Sequence, residues 1–308
     1  MSQPAKRKRV PVHGVLLLDK PEGMSSTQAL AKVKWLLNAE KAGHTGTLDP
    51  FATGLLPLCF GEATKFASDL LDAEKTYEAT IRLGIRTTTG DPEGEVLETR
   101  DVDVQRAQIE SVLDHFRGPI DQIPPMYSAL KREGKPLYAY AREGKTVERK
   151  ARAVVIHELE LVAFTSPDIQ IRVRCSKGTY IRVLGEDIGS ALGCGAHLTG
   201  LRRIQTAQLS IDRSVTLDAV DKLDMADRIS LLLPIDTLVS KLPAIWLNDD
   251  LARRFRQGQR LSLFRDQVGQ ILPGERVRVL DSAGSFMGVA ILNETNVLFP
   301  ERVVVYSD

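Results

Sequence analysis

Two segments of the chain alternate between apolar and polar residues at every step, and this pattern restricts the fold more than any other. Tyr77–Gly84 reads YEATIRLG and Ile169–Cys175 reads IQIRVRC. A period of two sends every second side chain to the same face, so each segment is predicted as a strand half-buried against a core. Val154–Val162 shows a third strand pattern, and Val12–Leu18 a fourth, apolar and β-rich, closed by a DKPEG turn. Helical spacing comes between them. Leu30, Val33, Leu36 and Leu37 mark Thr27–Asn38, with Ser25 or Ser26 available as the cap. Val104–Phe116, Gly178–Leu192 (Ile181, Leu184 and Ile188 on one face) and Leu217–Leu232 also read as helices. The fold class is therefore mixed, α/β in the α+β sense.

The last sixty or so residues differ. Val277–Leu280, Phe286–Leu292 and Val303–Tyr306 are short strand patterns separated by Gly, Pro and Asn, which predicts a small all-β unit joined near Lys241–Asn248. The organisation expected is a basic flexible tail over residues 1–9, a main domain over 10–245 and a small domain over 246–308. Lys41–Gly54, with three glycines, three threonines and a proline, is predicted as a loop. Pro124–Arg152 is basic and tyrosine-bearing and reads as a surface insertion of the main domain.

Composition excludes several classes. The 308 residues are 43% hydrophobic and 26% charged, as in soluble globular proteins. No run of about 18 uninterrupted apolar residues exists to span a membrane, and no apolar segment follows the basic N-terminus as a secretory signal requires. The cysteines, Cys59, Cys175 and Cys194, are odd in number with no C-x-x-C, so a reducing cytoplasm is expected rather than a disulfide framework or zinc site. The formal charge is only +1, but it is segregated. Pro124–Arg152 holds eight Lys/Arg against three Glu, Arg172–Arg203 six against two acids, and Leu251–Arg260 four Arg and no acid. Asp91–Asp121 is net −6 and Gln205–Asp250 net −4. With a Debye length of about 8 Å at physiological salt, a polyanion responds to the local face, so a neutral total leaves a nucleic-acid partner open.

The densest candidate for chemistry is GHTGTLDPFATGLLP, Gly43–Pro57. Asp49 precedes Pro50, which biases it to an extended or turn geometry and can hold its carboxylate out of the loop. By itself Asp49 could equally be a turn residue bonding backbone amides, and His44 an ordinary loop histidine. A P-loop string, G-x-S-x-G and paired-histidine metal spacing are all absent, so no metal is expected. In CSKGTYIRVLGEDIG, Tyr180 and Arg182 fall in the first turn of a helix, where Arg182 could hold a buried carboxylate ionised. Tyr77 opens its strand as a core or edge aromatic. One carboxylate, one Arg and one Tyr in basic surroundings suit acid–base or nucleophilic work on an organic substrate.

GHTGTLDPFATGLLPLCFGEATK resembles the signature of the TruB family of tRNA pseudouridine synthases. GVLLLDKPEGMSS, KTYEATIRLGIRTTTGDPEGE, IPPMYSALKREGKPLYAYAREG, CSKGTYIRVLGEDIG and HLTGLRRIQ follow in the family's order, and the C-terminal stretch resembles a PUA-type β domain. The resemblance implies a pseudouridine synthase catalytic fold around a central, mostly antiparallel sheet, plus a small PUA-like RNA-binding domain. It implies isomerisation of uridine 55 in the tRNA T-arm to pseudouridine, by base flipping and without a cofactor. It carries the catalytic aspartate to Asp49, the stacking tyrosine to Tyr77 and the arginine paired to the aspartate to Arg182. Lys20, His44, Tyr180 and Leu201 fall on substrate-binding positions. The insertion would close over the T-stem-loop, with Lys131, Arg132, Lys135, Arg142 and Lys145 on RNA phosphates. A monomer acting without guide RNA is expected; a tRNA-folding chaperone in which catalysis is secondary is the alternative.

Overall fold

The computed structural model describes residues 8–128 and 130–306. A ten-stranded mixed sheet forms the main body. Along its principal path the strands run Val215–Thr216, Gly14–Lys20, Thr53–Phe60, Ala196–Thr206, Lys75–Leu83, Asp168–Cys175, Arg152–Thr165, Gly118–Gln122. Only the pairings of Gly14–Lys20 with Val215–Thr216 and of Thr53–Phe60 with Ala196–Thr206 are parallel, so the sheet is mostly antiparallel as expected. The two alternating segments lie side by side at its centre, with Tyr77 opposite Val173 and Ile81 opposite Ile169. Their apolar halves, Ala79, Ile81, Ile169 and Ile171, enter a core with helix residues Val33, Ile109 and Leu184. Their polar halves stay on the other face, where Arg172 pairs with Glu78 and Arg82 with Asp168.

The helices lie close to their predicted limits: Ser26–Leu36 with a Ser25 capping box, Arg106–His115 and Ile181–Ala191. Leu217–Leu232 departs from expectation. It is two short helices, Leu217–Lys222 and Met225–Ser230, broken where Leu223 turns extended and the Asp224 carboxylate accepts the Asp227 N–H as a new N-cap. The predicted loop Lys41–Gly54 holds a short strand, Ala42–His44, paired with Thr53–Phe60.

The C-terminal unit is a five-stranded sheet in the order Ala244–Trp246, Arg276–Leu280, Phe286–Leu292, Val297–Val303, Leu261–Ser262. Its first strand straddles the expected boundary at 245/246. The strand Val297–Val303 ends where the predicted Val303–Tyr306 begins, and it accommodates Pro300 beside a register shift, where a missing N–H does no harm. Leu280, Phe286 and Val289 of this unit share a second core with Val15, Leu17 and Leu55 of the main sheet. Of the basic tail, residues 1–7 lie outside the described residues. Arg9 donates to the Ala39 carbonyl, and Asn38 to the Lys8 carbonyl. Among the described residues no helix is long and apolar enough to cross a membrane.

Candidate active site

The loop that carries Asp49 is clamped on both sides. Before it, the Ser26 hydroxyl donates to the Leu48 carbonyl (3.0 Å) and accepts the Leu48 N–H (2.8 Å). After it, the Pro50 carbonyl accepts the Gly23 N–H and the Lys20 ammonium. The Asp49 side chain keeps 37% exposure, open to a cleft of about 260 Å³ also lined by Tyr77, Tyr180, Arg182, Leu201 and Arg203.

Arg182, on the first turn of its helix, is 5% exposed and uses its whole fork. Nε meets Asp49 Oδ2 at 3.1 Å and Nη1 meets Asp91 Oδ2 at 3.0 Å. Nη1 also donates to the Thr89 carbonyl, and Nη2 to the Tyr127 carbonyl. Burial pushes the Asp49 pKa upward, Arg182 and Lys20 pull it down, and Asp91 adds to the rise. The guanidinium is the foremost charge opposing the desolvation of the carboxylate.

Tyr77 stands in register with Arg203 and its ring is buried in the wall. Burial raises its phenol pKa, against the Arg203 guanidinium beside it, so the phenol is protonated at neutral pH. Tyr180 is fixed by its backbone. Gln122, 2% exposed, accepts the Tyr180 N–H through Oε1 (3.0 Å) and donates through Nε2 to the Tyr180 carbonyl (3.3 Å).

Two of the predicted catalytic and substrate-binding residues, Lys20 and His44, do not line the cleft. Lys20 is fully buried beneath the Asp49 loop, its ammonium donating to the carbonyls of Pro21 (2.8 Å), Met24 (2.5 Å) and Pro50 (3.3 Å). Burial lowers its pKa to about 8, with Asp49 the foremost charge opposing that. His44 sits on its short strand opposite Leu58, its pKa lowered by burial and by Arg203. Of the insertion residues, Lys135 and Lys145 share the Glu143 carboxylate, Arg132 donates to the Glu148 carbonyl, and Arg142 lies over the Tyr138 ring. Lys131 is exposed beside Arg132.

Three buried residues of this network were not singled out from the sequence. Arg203 ties the loop to the sheet, donating to the Leu55 and Gly46 carbonyls. Asp91 anchors Arg182, and Gln122 anchors Tyr180. The first two stood inside the quoted HLTGLRRIQ and TTTGDPEGE; only their register and their contacts mark them out.

Residues 34–181 match "TruB family pseudouridylate synthase (N terminal domain)", 182–240 "tRNA pseudouridylate synthase B C-terminal domain" and 243–304 "Pseudouridine synthase II TruB, C-terminal". The chain belongs to the TruB family. Among curated TruB relatives, the tRNA pseudouridine synthase B of Burkholderia mallei is 58% identical over 95% of this chain and 97% of its own. That of Ralstonia nicotianae is 56% identical over 98% of each. Two solved structures share the fold. A Cbf5-Nop10-Gar1 complex matches with TM-score 0.71 and 28% identity over 94% of this chain and 84% of that one. An H/ACA RNP bound to a substrate RNA containing 2'-deoxyuridine matches with TM-score 0.72 and 25% identity over 96% and 86%. This TruB chain is thus a pseudouridine synthase, an isomerase, with a PUA-like C-terminal unit.

Proposed function

We propose that the enzyme isomerises uridine 55 in the T-arm of tRNA to pseudouridine, with the target base flipped out of its stack into the cleft and Asp49 starting the chemistry. The observation that carries this reading is the ion pair of Asp49 with Arg182 at the mouth of a cleft large enough for one nucleoside. The reaction breaks the C–N glycosidic bond, turns the uracil and forms a C–C bond. Nothing is oxidised and no group is imported. An ionised Asp49 could begin it by attack at ribose C1′, by addition to uracil C6 or by taking a ribose proton, and each route needs the carboxylate that Arg182 opposes to desolvation. Tyr77 offers a face for the extruded base, a kind of stacking worth about 1–3 kcal/mol. Its protonated phenol can donate a proton or hydrogen bond and does not act as a base.

The same reading makes the enzyme a monomer that works without a guide RNA, recognising splayed bases and the phosphates around them. The test is tritium release from C5-labelled uridine in a bare T-stem-loop transcript. The purified chain should turn it over, and Asp49→Asn should abolish release while tRNA binding survives. Normal turnover by the Asn variant would remove Asp49 from its role. Silence of the wild type on a bare transcript would remove the guide-free reading.

A further inference from the structure

Ser128, in the insertion, lines the cleft with Asp49, Tyr77 and Tyr180. It is 6% exposed and stands beside the Tyr180 phenol, whose ionised form its hydroxyl favours, and its Oγ meets no hydrogen-bond partner within 3.5 Å among the described residues. A buried hydroxyl without a close partner is destabilising, so its presence in a cleft wall points to a ligand that completes it. The hydroxyl is also held in place. The Ser128 N–H donates to the Met126 carbonyl and its own carbonyl accepts the Tyr138 N–H, while the preceding Tyr127 carbonyl accepts Arg182. The neighbouring Tyr180 has both backbone groups taken by Gln122, so it can offer a ligand only its phenol.

Uracil presents one polar edge, O2, N3–H and O4. In the isomerisation the ring leaves through N1, makes a half turn about its N3···C6 axis and rejoins through C5. O2 and O4 exchange places in that turn, whereas N3–H lies on the axis and stays where it was. An acceptor at N3–H therefore holds the ring before, during and after the turn, and a partner fixed at either carbonyl position must hand over from one oxygen to the other.

We propose that Ser128 Oγ accepts the N3–H of the target uracil and acts as the pivot that retains the detached ring. This rests on the assignment of the cleft to the target uridine. The test is single-turnover isomerisation of T-arm transcripts bearing uridine or N3-methyluridine at the target, by wild type, Ser128→Ala and Ser128→Thr. Ser128→Ala is expected to be about 10-fold slower on uridine, the worth of one hydrogen bond. It should also lose most of the wild type's discrimination against N3-methyluridine, because groups in contact are energetically coupled. Ser128→Thr, which keeps the oxygen, should discriminate more strongly than Ser128→Ala. Equal discrimination by wild type and Ser128→Ala overturns the pivot, and so does an unchanged rate of Ser128→Ala on uridine. Failure of the wild type on uridine overturns the cleft assignment and the pivot with it, so the two failures are told apart.

Discussion

Replacing Lys20 by Met tests the electrostatics under the Asp49 loop. Met keeps the length and apolar bulk of the side chain and removes a fully buried ammonium from three carbonyls. In the native fold this amine titrates at about 8 instead of 10.5. Between those values the unfolded chain binds more protons than the folded one, so the wild type gains stability as pH rises through the window. Linkage puts that gain at about 2 kcal/mol between pH 7 and pH 9.5. The Met variant lacks the gain, and every other titrating group, the similarly lowered Lys75 included, is common to both proteins. The stability difference, wild type over Lys20→Met, should therefore widen by about 2 kcal/mol across this range in urea titrations. The same cation lowers the Asp49 pKa at neutral pH. Its removal should move the acid limb of the single-turnover pH profile upward. A stability difference independent of pH would refute the buried ammonium. A widening difference with an unmoved acid limb would refute its action on Asp49.

Other outcomes follow from the same contacts. In the wild type, burial of Asp49 should place the acid limb of the single-turnover rate above the ordinary aspartate range, with activity lost as pH falls through it; a limb at or below the usual value would deny the desolvation. Asp91→Asn removes the second carboxylate from the Arg182 fork and should slow isomerisation by about 10-fold or more, the scale of a hydrogen bond to a charged group, with tRNA affinity unchanged in filter binding. Lys131→Ala should lower the slope of log K against log salt by roughly one contact's worth. Lys135→Ala should lower it less, because Lys135 already shares Glu143 with Lys145.

Much of the architecture was legible because periodicity reports burial directly. Ala79, Ile81, Ile169 and Ile171 alternate in sequence and face one core in space. Two misread elements lie where a single side chain departs from the local pattern: Asp224 capping a new helix inside an apolar stretch, and Pro300 sitting beside a register shift. Asp49, Tyr77 and Arg182 could be named from motif strings, but the strings do not say which polar residues are buried. Arg203 and Asp91 acquire their roles only when the Ala196–Thr206 strand is laid against Lys75–Leu83 and when the Thr87–Gly94 turn reaches Arg182. Lys20 lay within a recognisable motif yet sits beneath the loop, because the carbonyls of Pro21, Met24 and Pro50 converge on its ammonium, a convergence of two motifs that neither string shows.

The charge pattern is where structure alters the sequence argument most. Three basic segments were candidates for an RNA face, and two of them are largely spent within the fold. In Arg172–Arg203, Arg172 pairs with Glu78, Arg174 with Glu74 and Glu158, Lys177 with Asp72, Arg202 with Asp19 and Arg182 with Asp49 and Asp91, while Arg203 is buried on carbonyls. In Leu251–Arg260, Arg253 and Arg254 meet Asp250, Arg256 meets Asp281, and Arg260 lies over Phe299. Exposed pairs such as Arg172–Glu78 add little stability, but they cancel the field a phosphate would feel. In the insertion, by contrast, Lys131, Arg132, Arg142, Arg149, Lys150 and Arg152 have no carboxylate within ion-pair distance among the described residues, and only Lys135 and Lys145 are paired. The positive field is therefore carried chiefly by the segment that also brings Tyr127 and Ser128 into the cleft wall. The unpaired basic side chains and part of the cleft wall belong to the same 29 residues, so a polyanion drawn to the insertion is drawn to one side of the Asp49 cleft.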